Sequence, residues 1–243
     1  MSLAYYKRQE GYFGNGNEFT VEPSTGSGAL KPTAMAAELL AWYSVHGRNL
    51  PWRSPPGVRP DPYHVWLSEI MLQQTQVDTV IPRYQKFMQE FPDIAHLAAA
   101  GAHRVCEAWA GLGYYARARN LYKCSQIIIK NYNGVFPNKV FELRKLPGIG
   151  DYTAAAISSI AFNQVAFAVD VNINRVISRL YNEHNVSNKE IKLLMKNIIS
   201  DNRPGDSTEA LMDIGSQICK KTQPKCSSCP LSKDCLTFKF NYE

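Results

Sequence analysis

The stretch Leu146-Pro147-Gly148-Ile149-Gly150-Asp151-Tyr152-Thr153 constrains this chain most. It reads as helix, sharp glycine turn, helix. The run Phe141-Glu142-Leu143-Arg144-Lys145 before it is helix-compatible and is broken at Pro147. Gly148 and Gly150 admit a positive φ and a close approach of the backbone to another group. Asp151 is placed to cap the helix that continues through Thr153-Ala154-Ala155-Ala156-Ile157. The free N–H groups at such a helix start form a seat for a phosphate. On these residues alone two readings stand: a plain connector between helices, or an anchor for a nucleic-acid backbone.

Around that turn the chain is a series of helices. Ala34 to Ser44 carries apolar residues on every side of a helical turn and stops at Gly47. A Pro-rich connector, Leu50 to Gly57, and a second turn at Pro60-Asp61-Pro62 follow. Helices are expected at about 63–76, 78–90, 93–100, 103–111 and 114–132, punctuated by Phe91-Pro92, Gly101 and Gly111-Leu112-Gly113. The hairpin helix runs to about 162, and Val165 to Val171 is a short apolar run without a helical period. Helices resume at about 173–184, 188–200 and 207–220. No alternation long enough for a sheet is present, so the fold class is all-α.

The 243 residues suffice for one large core or two modest ones. Residues 1–30 are rich in Gly, Ser, Asn and Thr, and read as a flexible tail or as an arm that orders on a partner. No apolar run reaches membrane-spanning length, and the first residues lack the apolar centre of a secretion signal. A net charge of +6 favours a polyanionic partner.

Four of the six cysteines crowd the C-terminus: Cys219, Cys226, Cys229 and Cys235, with gaps of six, two and five residues. Such crowding reads as a metal site in a reducing compartment rather than a disulfide framework. Four thiolates satisfy either a tetrahedral Zn²⁺ or a four-iron cluster. Zinc ribbons usually show two Cys-x2-Cys knuckles. Here only Cys226 and Cys229 have that spacing, and the uneven ladder wraps better around a cubane. Cys106 and Cys124 fall mid-helix and read as core residues. Lys220, Lys221, Lys225 and Lys233 surround the ladder, as a solvated surface or as a basic loop resting on phosphates.

Glu69, Gln73 and Gln76 fall at i, i+4 and i+7, one polar stripe on a helix whose other faces carry Trp66, Leu67, Ile70 and Met71. A carboxylate among such side chains is partly desolvated, which raises its pKa. The competing reading is a surface glutamate on an amphipathic helix. Asp170 stands between an apolar run and a helix, the place of an N-cap. An acid held neutral, facing an acid kept charged by a helix N-terminus, is the pair that glycosidic cleavage needs. One protonates the leaving group and the other stabilises an oxocarbenium ion.

Together, residues 146–153, the Asp at 170 and the Cys-x6-Cys-x2-Cys-x5-Cys tail resemble the helix-hairpin-helix DNA glycosylases that carry an iron–sulfur cluster. The stretches Trp66–Val77, Gly111–Asn120 and Leu50–Arg53 resemble specifically the adenine DNA glycosylase (MutY-type) family. The likeness covers about residues 36–238. It implies two helical lobes with the active site in the cleft between them. Residues 31–62 plus 165–243 would form the cluster-bearing lobe. Residues 63–164 would form a helical barrel lobe containing the helix-hairpin-helix at about 139–162. It also implies one [4Fe-4S] cluster on Cys219, Cys226, Cys229 and Cys235, with Zn as the alternative.

The implied activity belongs to base excision repair. Adenine mispaired with 8-oxoguanine or guanine in double-stranded DNA is flipped out and its N-glycosidic bond hydrolysed. Glu69 matches the acid that protonates the adenine ring, and Asp170 the carboxylate that stabilises the sugar cation. Tyr152 stands where bifunctional relatives carry a nucleophilic Lys. A phenol cannot form a Schiff base, so a monofunctional glycosylase without lyase activity is implied. Gln74 and Tyr114 match residues that wedge into the duplex beside the orphaned base, and Thr75 a contact to that base. Trp52, Arg53, Leu72 and Glu209 match the adenine pocket. The backbone at Gly148, Gly150 and Thr153 would hold a phosphate. The implied protein is a monomer, intracellular and DNA-associated, in a bacterial cytoplasm or in a nucleus or mitochondrion, and not on a membrane.

The chain departs from the family pattern in three places. Val171 stands where the pattern usually has Gly, and its larger side chain would crowd the sugar. Pro55 to Arg59 reads as an insertion between the Trp-Arg pair and the following helix. Typical members carry a C-terminal nudix-like domain that helps read 8-oxoguanine, and this sequence stops eight residues after Cys235. Two rival readings stand beside the main one. One is a mismatch glycosylase for thymine or uracil opposite guanine, or for a modified purine such as 2-hydroxyadenine. The other is a non-catalytic DNA-binding module. Glu69 favours adenine, whose ring nitrogen is basic, and the pairing of Glu69 with Asp170 argues against a mere binding module.

Overall fold

The computed structural model describes residues 33–242, and the expected tail at 1–30 lies outside them. Among the described residues every regular element is helical. Helix α1 (Ala34–His46) starts where Thr33 Oγ1 accepts from the Ala36 N–H at 3.2 Å. Helix α2 (Pro62–Leu72) has proline at its first turn and is capped by Asp61, which accepts from the Tyr63 N–H at 2.7 Å. Tyr63 and Val65 through Met71 are all buried, so α2 runs through the protein rather than over it. Helices α3 (Val77–Glu90), α4 (Ile94–Ala99), α5 (Ala102–Ala108), α6 (Ala116–Tyr132), α7 (Val140–Leu143) and α8 (Asp151–Ile160) follow. Then come α9 (Val171–Leu180), α10 (Asn188–Met195) and α11 (Pro204–Asp213), which continues as a π-helical turn over Ile214–Ile218. Two 3₁₀ turns, Cys226–Ser228 and Ser232–Asp234, lead into α12 (Leu236–Tyr242).

These helices bury two hydrophobic cores. The first gathers α2 to α8 around Trp66, Phe87, Trp109 and Ile157. The second gathers α1 and α9 to α11 around Leu39, Tyr43, Ile177 and Leu194. Met212 on α11 packs against both. Leu50 and Trp52 pack in the first core, on the other side of the expected boundary at residue 62. Trp52 is held there by an edge-on contact with Tyr84, ring centroids 5.3 Å apart. The apolar run before α9 is the crossing between the cores. Ala166 and Ala168 face the first, while Phe167 and Val169 face the second. Alternate residues of an extended chain point to opposite sides, which is why this run has no helical period. Asp170 stands at its end.

Several helix ends differ from expectation. Helix α2 stops at Leu72 rather than 76, and Gln74 takes a left-handed φ of 59°. Glu69, Gln73 and Gln76 therefore do not share one helical stripe. A longer helix would bond the carbonyls of Ile70 and Met71 to the N–H groups of Gln74 and Thr75. Instead Arg117 on α6 donates to them at 3.0 and 2.8 Å. Helix α10 stops at Met195 rather than 200, because Lys196 and Asn197 close back on Leu193 and Leu194 with tighter i→i+3 bonds. Helix α11 begins earlier than expected, with Pro204 at its first position. Its π turn brings Gly215 against α9, where a Cβ would stand 2.8 Å from Asn172 Cβ. Only glycine permits that approach.

Candidate active site

A cleft of about 1080 Å³ is lined by residues from both cores. Trp52, Arg53, Glu69, Leu72, Gln74, Thr75, Tyr152, Asp170 and Glu209, all singled out from the sequence, line it. On one wall Glu69 of α2 is buried, which sets aside the surface-glutamate reading. The Tyr152 hydroxyl on α8 donates to its carboxylate. Burial pushes the Glu69 carboxyl up to about 7, and the charges of Asp170 and Glu209 act in the same direction, against the Tyr152 hydrogen bond and Arg53. The Tyr152 phenol is in turn held well above its ordinary range by burial and by Glu69. Asp170 is both a cap and a cleft residue. Its Oδ1 accepts from the Ile173 N–H at 2.7 Å at the start of α9, and its Oδ2 accepts from Asn172 Nδ2 at 3.1 Å.

The other wall holds a chain of charges. Glu209 on α11 accepts from the Tyr43 hydroxyl at 2.6 Å and forms an ion pair with Arg53, whose Nε stands 3.0 Å away. Arg53 then forks onto Asp213, Nη1 at 2.8 Å and Nη2 at 3.0 Å. Arg48 closes the chain, its Nε 2.6 Å and its backbone N–H 2.9 Å from the Asp213 carboxylate oxygens. Burial raises the Glu209 carboxyl, while Arg53 and the Tyr43 hydrogen bond lower it. Arg53 lines the cleft, and the loop Pro55 to Arg59 after it is tied to α11 by the Gly57 N–H, which donates to Asp206 at 2.8 Å. Sequence reasoning missed Tyr43, Arg48 and Asp213. One signal was available: a lone acid in Ala210-Leu211-Met212-Asp213-Ile214 requires a buried counter-charge.

The remaining predicted residues stand apart. Tyr114 is 66% exposed, with a left-handed φ of 47° and its ring 5.7 Å from the Arg117 guanidinium. In the hairpin only Gly148 takes a positive φ, 80°. Gly150, extended at φ −91°, is the N-cap of α8, and no side chain caps that helix. Asp151, expected as the cap, lies inside α8 and is drawn to Arg144 Nε at 2.6 Å. The Thr153 side chain is buried and accepts from Gln73 Nε2 at 3.3 Å.

Burial raises the thiols of Cys226, Cys229 and Cys235, and the nearness of Cys219 acts on each in the same direction. Cys219, Cys229 and Cys235 pack against the second core. Arg179 Nη1 stands 3.5 Å from Cys219 Sγ, and Arg175 Nε donates to the Cys219 carbonyl at 2.8 Å. Backbone N–H groups of Leu231 and of Thr237 and Phe238 donate to Cys229 and Cys235 respectively. Among the described residues no group of three or more His, Cys, Asp or Glu is arranged to hold a single metal ion. Four thiols are the donor chemistry that an iron–sulfur cluster takes. Cys124 is buried in the first core and Cys106 packs against it, as their mid-helix places suggest.

Residues 67–200 match the family described as HhH-GPD superfamily base excision DNA repair protein, and the chain belongs to that superfamily. Within it the chain is 46% identical over 205 residues to adenine DNA glycosylase of Buchnera aphidicola subsp. Baizongia pistaciae, covering 82% of this chain and 57% of that protein. It is 39% identical over 213 residues to adenine DNA glycosylase of Homo sapiens, covering 84% of this chain and 39% of that protein. The chain thus spans about half the length of these relatives. Among solved structures it is similar to a thermostable thymine-DNA glycosylase, with a TM-score of 0.74 at 28% identity, over 84% of this chain and 95% of that one. It is also similar to endonuclease III in a trapped covalent complex with DNA, with a TM-score of 0.69 at 25% identity, over 86% and 96%.

Proposed function

We propose that this chain is the catalytic core of a monofunctional adenine DNA glycosylase of base excision repair, acting on adenine opposite 8-oxoguanine or guanine in double-stranded DNA. The observation that carries this reading is the pair Glu69 and Asp170 on one cleft. The first is a buried carboxyl with a pKa of about 7, and the second an acid fixed at a helix N-terminus. Near neutrality a large share of Glu69 is protonated and able to donate to a ring nitrogen of adenine. The bond from the sugar carbon to the base then breaks, with its electron pair leaving on the purine. Asp170 stabilises the oxocarbenium ion and water completes the hydrolysis. Trp52, Arg53, Leu72 and Glu209 hold the base. Tyr152 supplies no amine, so the strand is left uncut. The names of the relatives support adenine as the base.

The remaining parts take roles around that step. Gln74 and Tyr114 part the strands, and Thr75 meets the base left behind. The N–H groups at the start of α8, with Gly148, Gly150 and Thr153, seat a phosphate. Cys219, Cys226, Cys229 and Cys235 would hold one [4Fe-4S] cluster, which when bound fixes the shape of the loop bearing Lys220, Lys221, Lys225 and Lys233. The two lobes divide at the crossing that begins at residue 165. The protein works as a monomer on DNA inside the cell.

The test is single-turnover base release from duplexes bearing A:8-oxoG, A:G, T:G, U:G and 2-hydroxyadenine pairs. Wild type releases adenine, and Glu69→Gln is slower by about a thousandfold. Preferential release from T:G or U:G would carry the pyrimidine reading instead. No release from any duplex would leave only a binding module. Strand nicking without alkali would refute the monofunctional claim. Iron and sulfide content with broad visible absorbance tests the cluster, and a colourless zinc protein would overturn it.

A further inference from the structure

We propose that Arg117 is the positioning residue that sets Gln74 and Tyr114 in register with each other. This rests on the glycosylase reading above. Arg117 opens α6 and is only 9% exposed, yet every acceptor its guanidinium meets is a neutral oxygen. Nη1 donates to the carbonyls of Ile70, Met71 and Gln73 at 3.0, 2.8 and 2.6 Å. Nη2 donates to Thr75 Oγ1 at 3.1 Å and to the carbonyls of Leu112 and Gly113 at 2.7 and 3.3 Å. These acceptors belong to two segments: the end of α2 with its turn, and the loop before α6. Each segment carries an exposed non-glycine residue in left-handed backbone, Gln74 at φ 59° and Tyr114 at φ 47°. Such conformations cost energy and persist only where the surroundings over-determine them. Here one fork over-determines both.

The chemistry of the residue supports this division of labour. Burying a cation beside carbonyls alone is costly, and closing a core does not require it. The helix end repays part of that cost, since the last carbonyls of α2 carry partial negative charge. What only a guanidinium supplies is a planar fork reaching two segments at once, with a face that lies 5.4 Å from the Trp109 ring centroid and 5.7 Å from that of Tyr114. A lysine offers a point charge without fork or face. Arg117 therefore acts on strand parting through Gln74 and Tyr114, and leaves the proton donor Glu69 in place.

The experiment compares Arg117→Lys with wild type on two duplexes under single turnover. In one, adenine is paired with 8-oxoguanine. In the other, adenine faces an abasic gap and no pair has to be broken. The variant loses about a hundredfold on the paired duplex and about threefold or less on the gapped one. In a background carrying Gln74→Ala and Tyr114→Ala, Arg117→Lys costs nothing further. An equal loss on both duplexes, or full additivity with the two alanines, overturns the proposal. If Arg117→Lys fails to fold, Arg117→Gln, which keeps a planar amide but cannot span both segments, must show the same split; a uniform loss there also overturns it. Wild type that releases no adenine from either duplex refutes the glycosylase reading and this inference with it, and that outcome is distinct because the failure precedes any substitution.

Discussion

Glu69 and Glu209 are the same side chain, buried to the same degree, on opposite walls of one cleft, and they are built differently. Glu69 meets a phenol, Tyr152, and two like charges, with the charge of Arg53 acting against them. Glu209 meets a phenol and a guanidinium, and that guanidinium is itself forked onto a second acid. Both carboxyls are raised by burial and both feel Arg53 in the opposite direction, but only Glu209 is in direct ion-pair contact with it. One wall thus keeps a proton ready to leave, and the other keeps a charge fixed in place. Partners rather than residue type decide which acid moves a proton and which holds a shape.

Breaking the fixed wall has the largest effect. Asp213→Asn leaves Arg48 and Arg53 without their shared carboxylate, and urea denaturation midpoints should report a loss of about 3–5 kcal/mol. The proton-bearing wall comes next. The Glu69 carboxyl is raised in the folded state, so between the ordinary carboxylate range and about pH 7 the folded protein holds a proton that the unfolded chain has released. Stability therefore falls as pH rises through that window, by up to about 3 kcal/mol in all. Glu69→Gln should flatten this slope in melts taken from pH 5 to 8, and an unchanged slope would break the comparison. On the proposed reading, adenine release by the wild type should fall about tenfold per pH unit above about 7. Glu209→Gln is milder for stability, about 1–2 kcal/mol, because Arg53 keeps Asp213. Smallest is Val171→Gly. That side chain is 79% exposed, so the change should cost below about 1 kcal/mol with adenine release undiminished.

What the sequence made legible is what depends on near neighbours. The helices, the capping role of Asp170 and the burial of Glu69 among Trp66, Leu67, Ile70 and Met71 all follow from residues within a turn or two. What stayed hidden depends on distant ones. The end of α2 could not be read because the group that takes its carbonyls arrives with α6. Helix α1 looked apolar all round, and the Tyr43 hydroxyl finds its use only when α11 packs across it. Arg48 and Asp213 are distant in sequence, so the need of Asp213 for a counter-charge does not say which cation meets it. The run at 165–171 lacked a helical period because it serves two cores at once, a pattern that needs the second core to be visible.

Gly148 lies against α6: a Cβ at that position would stand 3.0 Å from Asn120 Cβ. Asn120 is one turn along from Arg117, about 4.5 Å on the helix axis. The hairpin and the two segments that carry Gln74 and Tyr114 therefore hang from adjacent turns of a single rod. On the proposed reading, α6 is a gauge that fixes the phase between where the duplex is gripped and where it is opened. One residue inserted into that turn would rotate grip against opening by about 100°. The protein would still hold DNA and still carry its acid, but it would present the wrong nucleotide to it.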